Sequence, residues 1–403
     1  MVLDKDCQST PVENEYQVAD RTGVLRWTPG RSTLFRFAEP GVVATDPGSG
    51  PATCNWNGKQ KMRAAFFRTH GGPEVLEIGE APEPVVARGS VVVGVRAVAL
   101  NHLDLWVRRG IPGLVLELPH IGGSDISGVI EEVGPEVEGW TVGDRVAVNP
   151  GLWCGACSFC AVGEESLCRS FQILGEHVAG GTADRVRVPA VNLFRIPDPL
   201  DFESASAAPL VYQTAWRAVS NRARLSAGDT LLVTGGSGGV STAAIQIGQH
   251  LGARVVVLTS GAENVLRCAA LGADAVLDRL ETDLVAGIQE LTDGSGVDVI
   301  VDSVGEALWD DCLRCLAPNG RLVTYGATTG ARASLDIRHV FWKQLQVIGT
   351  TMSSRSEFEE VMNLVADGDF RPAINSILPL ERIREAHEAL EAGEVFGKLV
   401  LVP

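Results

Sequence analysis

Two hydrophobic rhythms divide the chain. From Met62 to about Pro189, short β-rich runs such as SVVVGVRAVALN, DISGVIEEVG, DRVAVNP and DRVRVPA are cut by Gly, Pro and Asp, a spacing that predicts an all-β, barrel-like unit. After Phe202 the period changes. SASAAPLVYQTAWRAVSN reads as a helix, TLLVTGG as a buried strand, STAAIQIGQHLG as a helix closed by Gly252, and RVVVLTS as a second strand. ENVLRCAALGA, DAVLD, DLVAGIQELTDG, VDVIVDSVG and GRLVTYG continue the alternation. Strands alternating with helices predict parallel pairing through right-handed crossovers, so this half is α/β with a doubly wound sheet. Two amphipathic helices, FEEVMNLVADG and IREAHEALEAG, precede a last strand, GKLVLVP, placed to return to the first unit. Residues 1–61 lack sustained periodicity, end in the breaker-rich run AEPGVVATDPGSGPATCNWNG, and read as a disordered N-terminal extension.

Length and charge narrow the function. A chain of 403 residues exceeds one ordinary core, and 45% hydrophobic with 21% charged residues is a globular composition. The net charge of −16 repels phosphate backbones and anionic lipid. The expectation is a small-molecule substrate, with no nucleic acid and no membrane. No window approaches the roughly 18 apolar residues of a membrane span, and MVLDKDCQSTPVENEYQVAD lacks the basic and apolar regions of a signal peptide. A cytoplasmic protein is expected.

At the first strand-to-helix junction stands LLVTGGSGGVSTAAIQ. Glycines there let the backbone turn tightly and approach a pyrophosphate, which meets free N–H groups at the helix start. Gly236, Ser237, Gly238, Gly239 and Val240 are the candidates, against a merely flexible turn. Ser241 replaces the last glycine of G-x-G-x-x-G and is small enough to pack. The second strand ends in Thr259, Ser260 and Gly261, with no carboxylate before Glu263 to grip the ribose hydroxyls. Two hydroxyls and Arg267 could receive a 2′-phosphate, so NADPH is favoured over NADH.

Cys154, Cys157, Cys160 and Cys168 are spaced C-x2-C-x2-C-x7-C. Thiolates at this spacing can converge on one tetrahedral Zn²⁺, and four of them leave no open position for substrate. One structural zinc per chain is expected, against unliganded surface thiols. Cys312 and Cys315, at helical spacing, read as packing residues.

These elements in this order resemble the medium-chain dehydrogenase/reductase superfamily, the group of zinc alcohol dehydrogenases and quinone oxidoreductases. The resemblance spans residues 62–403 and rests on MRAAFFRTHGGPEVLE, NHLDLWVRRG, PHIGGSDISGVIEEVG, the cysteine lobe, the glycine turn, VDVIVDSVG, GRLVTYGATTG and GKLVLVP. It implies a GroES-like β-barrel catalytic domain from 62–195 and 340–403 around a Rossmann dinucleotide-binding domain at 196–339. Members with catalytic zinc carry C-H-x-D and G-H-E blocks; here stand Asn101-His102-Leu103-Asp104 and Gly123-Ser124-Asp125. Near the third ligand position the helix offers Leu210, Val211 and Tyr212. An amide and a hydroxyl are poor zinc ligands, although a rearranged set using Asp104, Asp125 or His102 stays open. Asn101, Asp104, Arg108 and Gly110 match the N-x-x-D-x-x-x-R-x-G block of the quinone oxidoreductase branch, which implies hydride transfer from NADPH to quinones or enones. On that reading Asn101 and His102 donate hydrogen bonds to the substrate oxygen and Tyr212 supplies a proton, while Asp104 and Arg108 act in the site or pair with each other. The resemblance further places Thr214, Val304, Gly326 and Ala327 at the nicotinamide and implies a homodimer or homotetramer. The alternatives are a zinc alcohol dehydrogenase and a non-catalytic NADPH-binding protein.

Overall fold

A computed structural model describes residues 60–403. The expected disordered extension, with Cys7 and Cys54, lies outside the described residues, except that Lys61 already begins the first strand. β1 (Lys61–Phe67) pairs antiparallel with β2 (Leu76–Pro82). β3 (Ser90–Leu100) is the spine of the barrel-like sheet and pairs antiparallel with β4 (Asp125–Val133) and β6 (Arg185–Pro189), while β5 (Arg145–Val148) joins β4 to β7 (Leu193–Arg195). Its apolar residues run almost without interruption because both faces are covered. Val91, Val93, Val95, Val98 and Leu100 enter the main barrel core, whereas Ala97 and Ala99 pack with Ala207 and Val400.

A single helix expected over residues 204–221 is broken into α2 (Phe202–Ser206), α3 (Pro209–Trp216) and a π-helical turn (Arg217–Arg222); α1 (His102–Arg109) precedes them, after β3. Pro209 lacks an N–H and is tolerated only in a first turn, so it opens α3 rather than continuing α2.

The second half is the expected doubly wound sheet. β8 (Thr230–Val233), β9 (Arg254–Thr259), β10 (Ala275–Asp278), β11 (Val297–Asp302), β12 (Leu316–Thr324) and β13 (Gln346–Gly349) are all parallel, in the order β10-β9-β8-β11-β12-β13. α4 (Gly239–His250), α5 (Ala262–Ala270), α6 (Leu284–Leu291), α7 (Trp309–Cys315) and α8 (Ile337–Lys343) connect them. The order reverses between β8 and β11, the crevice where such sheets receive ligands. Cys312 and Cys315 are buried in the core under this sheet.

The boundary drawn at residue 340 needs correction. β13 supplies the sixth strand of the nucleotide-binding sheet, in register with β12. α9 (Arg355–Ala366) belongs there too, since Phe358, Val361, Met362 and Val365 form an i, i+3, i+4, i+7 stripe buried with Tyr212, Trp216 and Phe370. Only β14 (Ile374–Pro379), α10 (Ile383–Glu391) and β15 (Lys398–Val402) return to the barrel, β15 pairing antiparallel with β3. QVIG is short and half exposed at the sheet edge, which hid it in the sequence. Among the described residues no helix is long and apolar enough to cross a membrane.

Candidate active site

Asn101 caps α1 where β3 ends, and Asp104 stands in its first turn. The buried Asp104 carboxylate accepts the Asn101 N–H at 2.7 Å and the Gly123 N–H at 3.0 Å, which stitches NHLD to GGSD. Burial pushes its pKa up to about 6 against the pull of those two N–H groups. The expected Asp104–Arg108 pair is absent. Buried Arg108 reaches instead the Gly71 carbonyl at 3.2 Å, His387 Nδ1 at 3.1 Å and the Glu391 carboxylate, because α10 closes over α1. Burial, aided by the Arg108 charge, drives the His387 pKa down to about 3.

The Asn101 amide donates to Asp125 Oδ2 at 2.9 Å, and the Lys398 ammonium donates to the same oxygen at 2.8 Å and to Asn101 Oδ1. The Leu210 N–H at the start of α3 donates to Asp125 Oδ1 at 2.7 Å. Asp125 and Lys398 are 0% and 2% exposed. A buried charge pair persists when further hydrogen bonds satisfy it, and this one gathers a barrel strand, the closing strand and the nucleotide-side helix. The other amide hydrogen faces the Ala99 carbonyl at 3.5 Å, so Asn101 has no spare donor for a substrate. Lys398 was not singled out from the sequence. Its signal is a lone lysine inside the apolar run GKLVLVP.

His102 is exposed, yet desolvation of its ring, with the like charges of Lys398 and Arg109, lowers its pKa. Ser124 is buried with its hydroxyl unpaired. Tyr212 does not serve as the expected proton source. It is 1% exposed, stacks on Phe370 at 5.6 Å and accepts a hydrogen bond from Gln246 Nε2 at 2.9 Å. Burial raises its pKa further. Thr214, two residues along α3, donates to the Leu210 carbonyl at 2.7 Å and touches Met352 Sδ at 4.0 Å.

The glycine turn fits a pyrophosphate. A Cβ on Gly236 would come within 2.4 Å of Val257 Cγ1, so only glycine lets the turn lie this close to β9. Gly238 opens α4, and the Ser237 carbonyl accepts the Gly397 N–H at 2.7 Å. The Lys398 stem runs under the same turn, since a Cβ on Gly239 would meet Lys398 Cδ at 2.9 Å. Ser241 donates to the Thr234 carbonyl at 2.8 Å and so ties helix to strand where the motif has glycine. Val304 lies beside the turn, 3.5 Å from a Cβ placed on Gly235, and its loop packs on that of Gly326 and Ala327 through the Thr328 and Thr329 N–H groups.

Thr259 ends β9, but it is buried with its hydroxyl sealed from solvent and so cannot meet a phosphate, and Arg267 does not join Ser260. It pairs with Glu263 and lies over the Phe396 ring at 5.4 Å. The cation beside Ser260 is Arg279, whose Nε donates to Ser260 Oγ at 2.5 Å from the end of neighbouring β10. Parallel pairing of Thr259 with Asp278 sets that adjacency.

The four predicted cysteines converge, all sulfurs lying within 4.8 Å of one another. Zn–S bonds of about 2.3 Å in a tetrahedron require sulfurs about 3.8 Å apart, and Cys154–Cys160 and Cys157–Cys160 measure 3.9 and 3.5 Å. Backbone N–H groups of Cys154 and Ala156 point at Cys168 and Cys154 sulfurs, as thiolates require. The donor set therefore fits zinc. Among the described residues, no other group of three or more His, Cys, Asp or Glu converges this way.

Comparison with known proteins decides the family. The model for the alcohol dehydrogenase GroES-like domain matches residues 87–198, and that for zinc-binding dehydrogenase matches 239–367. The NAD-dependent alcohol dehydrogenase of Sulfolobus acidocaldarius is 33% identical over 353 residues, covering 84% of this chain and 99% of that one. The chain is a medium-chain dehydrogenase/reductase. This NAD(P)H-dependent oxidoreductase is also similar to the acryloyl-coenzyme A reductase of Metallosphaera sedula, 29% identical with 84% and 99% coverage, and to human quinone oxidoreductase, 28% identical with 86% and 99% coverage. A crystal structure described as an NAD-dependent alcohol dehydrogenase superposes with a TM-score of 0.82 at 42% identity, over 85% of this chain and 100% of that one. The medium-chain fold thus accounts for a barrel and a nucleotide sheet meeting at Asp125, Lys398 and the glycine turn.

Proposed function

We propose that this enzyme is an NADPH-dependent reductase of electron-poor double bonds, acting on quinones, enones or α,β-unsaturated thioesters without catalytic zinc and with one structural zinc. One observation carries the reading. The side chains standing at the metal-binding blocks, Asn101 and Asp125, are engaged by the Lys398 ammonium, and Ser124 is sealed from solvent. Bound NADPH supplies the hydride. The glycine turn and α4 hold the pyrophosphate, and Ser260 and Arg279 receive the 2′-phosphate. Thr214, Val304, Gly326 and Ala327 flank the nicotinamide. His102, neutral at pH 7 by its lowered pKa, donates a hydrogen bond to the substrate oxygen and, being open to water, relays the proton. The relatives named acryloyl-coenzyme A reductase and quinone oxidoreductase support the substrate class.

A metal-dependent alcohol dehydrogenase is the second reading, favoured by the 42% identity to a structure of that description. NADPH and NADH oxidation over a panel of quinones, enones, acryloyl thioester and aldehydes, with zinc counted per chain, separates the two. One zinc and turnover of C=C substrates support the proposal. Two zincs with aldehyde turnover overturn it. Assembly as a homodimer or homotetramer is supported by Ile337, Phe341 and Trp342, which are 71%, 63% and 83% exposed on α8 next to the edge strand β13, and light scattering tests it. The thiolate cage supports a reducing, cytoplasmic compartment.

A further inference from the structure

The cysteine lobe leans on the nucleotide-binding part through one buried cation. Arg217 opens the π-helical turn directly after α3, and its side chain is 4% exposed. One of its terminal nitrogens, Nη1, donates to Glu357 Oε2 at 2.6 Å, and the other, Nη2, donates to the carboxylate of Glu164, which lies between Cys160 and Cys168. The next residue, Glu165, accepts the Arg355 N–H at 3.1 Å. Glu357 is itself committed, since the same Oε2 accepts the Ser354 N–H at 2.8 Å where α9 begins. Ser353 donates to Gln213 Oε1 at 3.0 Å, and Met352, held at φ +50°, packs on Thr214. A methionine in the left-handed region stores strain and stays there only where its neighbours fix it. π-turns also mark functional positions more often than chance.

Resting on the reading above that Thr214 faces the nicotinamide and that the cysteines hold zinc, we infer that Arg217 is a positioning residue. It couples zinc in the lobe to nucleotide in the cleft through Glu164, Glu357 and the Met352–Ser354 turn. Glu164 keeps its place only while the cysteines around it are gathered. With the lobe open, Arg217 keeps Glu357 alone and the wall behind Thr214 loses its brace. Linkage makes this reciprocal: if zinc improves the cofactor wall, cofactor must retain zinc.

The test measures the equilibrium distribution of zinc between the full-length holoprotein and a metallochromic chelator of known affinity, with and without saturating NADPH, after metal analysis and fluorescence titration have established zinc content and cofactor binding. Saturating NADPH is expected to tighten zinc binding on the order of fivefold or more, the lower range of allosteric coupling. Glu164→Ala still binds zinc and nucleotide but loses that difference, and Arg217→Met does the same. Arg169→Ala, which alters a lobe side chain outside the chain of contacts, keeps it. Equal zinc affinities of the wild type with and without NADPH overturn the inference, as does a Glu164→Ala variant that retains the full effect. A protein without zinc or without nucleotide binding overturns the underlying reading as well, and the preliminary measurements reveal which.

Discussion

The cysteine lobe and the Asn101 centre do the same mechanical work by opposite means. Each fastens parts of the chain to one another. The lobe gathers four thiolates contributed within one short loop, placed for a divalent ion, with Cys154 in contact with solvent. The Asn101 centre joins residues 297 positions apart in sequence, Asn101 at the end of β3 and Lys398 on β15, with an ammonium, a carboxylate and an amide, all buried. The difference teaches where chemistry can reside. A cage with every ligand position filled is inert toward substrate, and a buried ammonium already occupying its acceptors makes poor company for a second cation.

Six substitutions, and a titration read with a seventh, test that comparison, beginning with the largest effect. Cys157→Ser should reduce bound zinc to near zero and lower the melting temperature by about 10 °C, taking about 3–4 kcal/mol of lost lobe and roughly 2–4 °C per kcal/mol for a large chain. Atomic absorption and calorimetry read both. Lys398→Met leaves Asp125 charged and buried without its cation, a loss of about 3–5 kcal/mol. Adding Asp125→Asn should recover part of it in a double-mutant cycle followed by urea denaturation. Arg279→Gln should raise the NADPH dissociation constant about 10- to 100-fold, the range of a charge-assisted phosphate contact. NADH binding should stay unchanged, and Arg267→Gln should leave both alone. Tyr212→Phe removes one hydrogen bond to Gln246, so kcat should hold while stability falls by about 1 kcal/mol. A loss of kcat alone would return Tyr212 to the proton pathway.

The last effect is electrostatic and is spread over pH. Burial first, and then the charge of Asp104, raises the Glu176 pKa to about 7. An acid whose folded pKa lies above its unfolded value stabilises the native state in its protonated form. Its contribution is therefore full below about pH 4.5 and is lost as pH rises toward 7, up to about 2–3 kcal/mol. Glu176→Gln should flatten the stability profile across pH 5–7.5 in denaturant titrations, with Asp104, whose pKa is near 6, keeping a residual slope of the same sign.

Local patterns were legible in the sequence. The strand–helix alternation, the glycine turn and the C-x2-C-x2-C-x7-C spacing each depend on neighbours within a few turns of chain. The sixth strand was not, because QVIG is four residues long at an edge and shows no period of its own. Nor was the pairing of Asn101 with Lys398, which is decided by β15 returning beside β3. Arg267 and Arg279 illustrate the same limit. Sequence distance favoured the arginine on the helix after β9, whereas parallel register brought the one from the next strand. Tyr212 lies one position from Val211, and the helical turn sends its ring into the core beside Phe370.

The contact between the Ser237 carbonyl and the Gly397 N–H has a consequence for synthesis. The glycine turn is translated some 160 residues before the segment that backs it, so a growing polypeptide can shape β8 and α4 while the cradle beneath them stays open. Nucleotide capture must wait until Gly397 and Lys398 have emerged from the ribosome and β15 has closed on the barrel.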